Sequence, residues 1–197
     1  MTPYVPDKIL SSLQRLYSEP HRHYHTWAHV EDMLALSQQY RHLIIDHRLF
    51  DVAILFHDAV YDPKRHDNEG KSALLVQSLE NVLSLGEIGW VQDLIMATMD
   101  HKPAMISDDA RSDARVLVDI DLSILGREPK VFWEYEANIR KEYAFVPVED
   151  YRTGRAAVLQ GFLDRDSIYF NAEFQQAYEE KARTNLRASI DRLTPPT

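Results

Sequence analysis

His57 and Asp58 stand side by side at the end of the apolar run LFDVAILF, where a chain has little reason to carry charge. An ionised carboxylate in apolar surroundings must neutralise itself, find a partner or bind a metal ion, because the uncompensated charge is too costly to bury. Upstream, HRHYHTWAHV supplies His21, His23, His25 and His29. Of these, His25 and His29 are four apart and share a face if the stretch is helical. Downstream, VLVDIDLSIL embeds Asp119 and Asp121 in a second apolar run. His29, His57, Asp58 and one later aspartate make two imidazoles and two carboxylates. Such a set suits a divalent ion such as Mn, Fe, Co, Ni or Zn, with Mg also compatible. The same residues also allow a purely structural reading, with Asp58 capping a neighbouring helix and His57 bonded to backbone.

The elements that must position these residues read as helices throughout. DKILSSLQRLY, from Asp7, places Ile9, Leu10, Leu13, Leu16 and Tyr17 at helical spacing, and HVEDMLALSQQY does so with Val30, Met33 and Leu34. The run from Leu49 to Val60 is apolar on nearly every side, which suits a helix at the centre of a bundle. DNEGKSALLVQSLENVLSLG predicts a helix stopping at Gly86, and EIGWVQDLIMATMDH one ending at His101. SDDARSDARVLVDIDLSILG opens with Ser107 or an Asp as cap and ends at Gly126. Three more helices follow over 128–145, 148–165 and about 171–193, the first opening with Pro129. Strand-like alternation is scarce, so the expectation is an all-α, single-domain helical bundle spanning residues 1–197.

Composition narrows the function classes. The 197 residues are 45% hydrophobic and 27% charged, long enough for a substantial core. The absence of cysteine excludes disulfides, thiolate metal sites and a cysteine nucleophile. A formal net charge of −9 argues against a nucleic-acid polymer as partner, since phosphate backbones are held by clustered Lys and Arg. A small phosphorylated substrate in a locally positive pocket stays compatible with that charge. No apolar run approaches the roughly 20 residues that cross a bilayer, and MTPYVPDKIL lacks the pattern of a signal peptide. The expected location is cytoplasmic, without membrane contact; the oligomeric state is not encoded legibly.

His29, then His57-Asp58, then a distant Asp resembles the H…HD…D signature of the HD-domain metal-dependent phosphohydrolase superfamily. The similarity is closer to a branch of small bacterial proteins described as predicted metal-dependent HD phosphohydrolases. It rests on RHYHTWAH, FHDAVYDP, DNEGKSA, DIDLSILG and IRKEY…YRTGRAAVLQGFLDRDSIY, a motif-bearing core of about 22–169. The resemblance implies an HD-type helical core with the metal held by His29, His57, Asp58 and the last Asp. Residues two apart on a helix point about 200° apart, so Asp119 and Asp121 do not readily share a site. Asp121 lies on the face of Leu117, Val118, Ile124 and Leu125 and is the expected ligand. Asp119 lies nearer Arg115 and Ser123, where an exposed salt bridge would explain it.

Around that centre, Asp67 and Glu69 in DPKRHDNEG are candidate acid/base groups, with helix capping as their alternative role. His25 and His101 are candidates for binding substrate or water. Among Arg140, Lys141, Arg152, Arg155 and Arg165, the guanidinium of Arg155, then that of Arg140, is the first choice for phosphate, which a planar fork fits well. The resulting expectation is a metal-dependent phosphohydrolase acting on a small phosphorylated metabolite or nucleotide. A di-iron HD-type oxygenase and a non-catalytic ligand-binding HD module are the alternatives.

Overall fold

A computed structural model describes residues 4–101 and 108–194, the side chains of 108–111 excepted. The described residues are helical with no strand. Contacts divide the chain into two compact units, 1–121 and 122–197. The division falls inside the motif-bearing core expected over 22–169. No linker composition marks it, because one helix ends at Asp121 and a 3-10 turn begins at Leu122.

The first unit contains α1 (Asp7–Leu16), α2 (Trp27–Gln39), α3 (His47–Phe56), α4 (Asn68–Leu75), α5 (Leu85–Met96) and α6 (Asp108–Asp121). Helix α3 is its centre: every residue from Leu49 to Phe56 is buried, and α2, α4, α5 and α6 pack against it. Its start is fixed twice. Asp46 accepts the Leu49 N–H at 3.0 Å, and Asp113 on α6 accepts the N–H groups of Ile45 and Asp46. α3 stops at Phe56, sooner than its apolar run suggests, and His57 closes it. His57 and Asp58 therefore occupy the turn beyond the helix.

Two further boundaries differ from the sequence reading. Gly86 does not stop a helix. Val76–Leu79 tightens into a 3-10 turn, and Ser84 and Glu87 form a reciprocal capping box that starts α5 with Gly86 in its first turn. At the other end α5 stops at Met96, and the Thr98 hydroxyl donates to the Ile95 carbonyl at 2.8 Å. His101 thus sits in a turn instead of closing the helix. The cap expected at Ser107 lies outside the described residues.

The second unit holds the 3-10 turn Leu122–Gly126, α7 (Pro129–Glu142), α8 (Val148–Leu163), α9 (Ala172–Phe174) and α10 (Glu180–Leu193), with a π-helical stretch over Gln175–Glu179. Pro129 opens α7, as expected. α10 packs against α8 and against the 3-10 turn. Gly126 is required there: a Cβ on it would meet Tyr178 backbone and Cβ atoms 2.6–2.9 Å away.

Candidate metal centre

Three segments of the first unit converge: the start of α2 brings His29, the turn after α3 brings His57 and Asp58, and the last residue of α6 is Asp121. One ring nitrogen each of His29 and His57 and one Asp121 oxygen lie within 4.8 Å of one another. The two rings are 5.3 Å apart between centroids. Each imidazole faces a carboxylate. His29 Nε2 is 3.2 Å from Asp121 Oδ1, and His57 Nε2 is 3.0 Å from Asp58 Oδ2. Both Nε2 atoms are nevertheless buried and make no well-directed hydrogen bond. Buried imidazole nitrogens converging with carboxylates in this way have the donor chemistry of a divalent-metal site. The group formed by His29, His57 and Asp121 could hold a metal ion, and Asp58 stands against it.

His57 is already oriented for that role. Its Nδ1 lies 2.8 Å from the Ile54 carbonyl, which accepts the Nδ1 proton and turns Nε2 toward the carboxylates. Burial lowers the His57 pKa, but the Asp58 charge beside it outweighs burial and raises the value to about 9. Burial raises the Asp58 pKa, yet the His57 imidazolium holds it well below the usual carboxylate range. Asp121 is held low against the same burial by His101 and His29. The site thus holds ionised Asp58 and Asp121 beside the His57 imidazolium, and a dication could take the place of that proton.

His101 completes the Asp121 side: its Nε2 is 3.2 Å from Asp121 Oδ2, on the oxygen that His29 does not face. Among the described residues it is the one non-glycine with positive φ, 53°. A left-handed residue with a side chain is strained, and such strain concentrates at functional sites. His25 stands on the Asp58 side, with Nε2 4.0 Å from Oδ2 and its ring stacked on Tyr61 at 4.2 Å. It precedes α2, so it reaches the site from the loop and not from the face of His29. Glu69 is half-buried. Burial pushes its carboxyl up, the Asp58 charge adds to the rise, and His101 and His57 oppose it.

Other candidates are engaged elsewhere. The Asp67 carboxylate is exposed and pairs with Arg65 at 2.6 Å and with Lys71 at 3.2 Å. Asp119 is fully buried, which rules out the exposed salt bridge expected of it. In the second unit, Arg155 donates to Glu136 and to the Tyr135 hydroxyl. Arg140 donates to the Tyr143 and Val146 carbonyls and lies over the Tyr151 ring. Arg152 closes on the Leu193 carbonyl at the end of α10. These guanidinium groups hold their own unit together.

Sequence reasoning also missed the groups that shape the His57–Val60 turn. The Tyr17 hydroxyl accepts the Asp58 N–H at 3.2 Å. Ser72 on α4 accepts the Val60 N–H and donates back to the Val60 carbonyl. Asn68 clasps the Asp62 backbone in the same two-way fashion. Tyr17 reads only as part of an apolar helical pattern in the sequence, since nothing in residue type alone aims a hydroxyl at a turn 12 or more residues away. No protein-family model, curated protein or solved structure matches the chain. Among the described residues no helix is long and apolar enough to cross a membrane.

Proposed function

We propose that this protein is a metal-dependent phosphohydrolase of the HD type, acting on a small phosphorylated metabolite or nucleotide. The observation that carries the proposal is the pair of buried Nε2 atoms, on His29 and His57, that converge with Asp121 without a directed hydrogen bond. His29, His57 and Asp121 would hold the ion, with Asp58 as the fourth ligand. A divalent ion there supplies Lewis acidity toward a phosphoryl oxygen and lowers the pKa of water.

The chain's own groups divide the remaining work. Ile54 fixes the His57 ring through its carbonyl, and His101 fixes the Asp121 carboxylate. Glu69, whose burial makes it a better base than an ordinary carboxylate, is the group suited to take a proton from an attacking water. His25 and His101 reach the same pocket from opposite carboxylates and suit anionic phosphoryl oxygens. They face the site carboxylates directly, whereas Arg155 and Arg140 donate to protein acceptors within the second unit. A single group of three ligands among the described residues favours one metal over a two-iron oxygenase.

The test is metal content by mass spectrometry on protein purified without chelator, followed by phosphate release from a panel of small phosphate esters. Wild-type protein is expected to carry about one transition-metal ion per chain, and Asp58→Ala and His57→Ala to lose it together with activity. Wild-type protein that takes up no ion on reconstitution with Mn, Fe, Co, Ni, Zn or Mg would sink the proposal. Full phosphate release by metal-free Asp58→Ala would do the same.

A further inference from the structure

Arg22 is the most completely enclosed cation near the centre, with its side chain fully shielded from solvent. A buried guanidinium needs a partner for each donor, because an unpaired charge away from water is costly. Arg22 finds its partners in carbonyl oxygens from two different segments. Nη1 donates to the His25 carbonyl at 3.1 Å and to the Asp58 carbonyl at 2.7 Å, and Nη2 to the Ala59 carbonyl at 3.0 Å. Nε donates to Glu19 at 3.1 Å, on the outer side. The flat faces are covered as well, with the Tyr17 ring 5.0 Å and the Tyr61 ring 5.4 Å from the guanidinium carbon.

Those two segments are the ones that bear the site. The His25 carbonyl belongs to the loop leading into His29, and the Asp58 and Ala59 carbonyls belong to the turn that carries His57 and Asp58. Tyr17 is shared too: it lies against the guanidinium and accepts the Asp58 N–H. The His57–Val60 turn has few backbone bonds of its own: the His57 N–H reaches the Ala53 carbonyl and the Ala59 N–H the Phe56 carbonyl. Three charge-assisted hydrogen bonds from one rigid fork supply that fixity, and a lysine ammonium cannot reproduce their geometry.

We propose that Arg22 is a positioning residue of the metal centre. By tying the His25 carbonyl to those of Asp58 and Ala59, it sets the spacing between the imidazole-bearing loop and the His57–Asp58 turn. The role rests on the metal centre proposed above. It does not depend on which substrate, if any, is turned over.

The test uses the full chain with Co(II) alone as probe, reading affinity and the visible d–d spectrum, which reports ligand geometry. Arg22→Lys is expected to weaken Co(II) binding about 10–100-fold and to shift the bands, as loss of an outer-shell support does. Arg183→Lys is the control. Arg183 makes a similar clamp in the second unit, on the carbonyls of Leu163, Arg165 and Asp166 and on Glu179. Its replacement should cost stability and leave the Co(II) spectrum unchanged. Wild-type binding with an unchanged spectrum and affinity in folded Arg22→Lys overturns the role of Arg22 alone. Equal spectral changes in both variants also overturn it. Should Arg22→Lys not fold, Glu19→Ala decides: it removes the acceptor of the outer Nε and leaves the three carbonyl bonds, and a smaller shift in the same direction supports the role, whereas none overturns it. Wild-type protein that binds no Co(II) removes the metal centre itself, and the role of Arg22 falls with it.

Discussion

In the first unit, two buried imidazoles face two carboxylates and keep ring nitrogens that no directed hydrogen bond satisfies. In the second, Arg155 is buried against Glu136, whose other oxygen accepts from Ser189 at 2.9 Å, and against the Tyr135 hydroxyl. Both arrangements bury opposite charges beside one another. They differ in what is left over. The Arg155 Nε also lacks a partner, but it is a donor on a permanent cation and offers nothing to a metal. The imidazole nitrogens become lone-pair donors once their protons leave. A buried Arg–Glu pair closes on itself, whereas a buried His–Asp pair can exchange its protons for an ion.

The largest expected effect tests the closed pair. Arg155→Met leaves Glu136 buried with only the Ser189 hydroxyl, and breaking a buried pair from one side costs about 3–5 kcal/mol. In a chain of this size that corresponds to a fall in Tm on the order of 10 °C. Metal content per folded chain should stay at the wild-type level, because the proposed ligands all lie in the first unit. A variant that loses metal while still folded would break the contrast between the two regions.

The open pair makes the next largest prediction. An ion that binds the folded chain alone stabilises it by about 2.7 kcal/mol at a hundredfold excess over its Kd. Adding metal to stripped wild-type protein should raise Tm accordingly, and chelator should reverse the rise. His57→Ala should show no such shift. If its Tm rises with metal as the wild type's does, the stabilising ion sits elsewhere.

How these regions read in the sequence follows from the range of the forces involved. The helical periodicity of α1, α2, α7 and α8, and Pro129 at the head of α7, are local signals, and the structure follows them. His29, His57 and Asp121 were legible as a set because ionisable residues in apolar runs stand out by type, and the fold brings those three together. Asp119 was misread for the opposite reason. Its near neighbours Arg115 and Ser123 suggested a surface, whereas tertiary packing buries it completely. Arg22 stands beside the histidines in plain view, yet two of its partners are carbonyls more than 35 residues on, which residue type cannot announce.

The start of α5 shows a local signal outvoting another. Gly86 looked like a stop, but Ser84 and Glu87, three apart, form a capping box around it. Ser84→Ala removes the bond that the Glu87 N–H makes, and the loss of an N-cap costs about 1 kcal/mol. The expected Tm fall is a few degrees. The metal-induced rise should survive intact, since the cap touches neither kind of buried pair. A variant with lower Tm and no metal response would couple α5 to the centre more tightly than its contacts suggest.

The smallest effect concerns a third way of burying a carboxylate. Asp51, on α3, has neither an imidazole nor a guanidinium as hydrogen-bond partner; the Ser37 hydroxyl donates to it at 2.8 Å. Burial raises its pKa above the usual 3.8, against the opposing pull of Ser37, His47 and Arg41. The folded chain therefore holds this proton more tightly than the unfolded chain does. Stability from the protonated form is complete below the unfolded value and is lost as pH rises through the folded one. Asp51→Asn keeps an oxygen for the Ser37 hydroxyl and removes the ionisation. Its Tm should exceed the wild type's near neutral pH, and the difference should vanish when pH falls below the unfolded value. Equal Tm values at both pH extremes would mean that His47 and Arg41 balance Asp51 as fully as Arg155 balances Glu136. The contrast would then separate pairs that exchange their protons for an ion from all the rest.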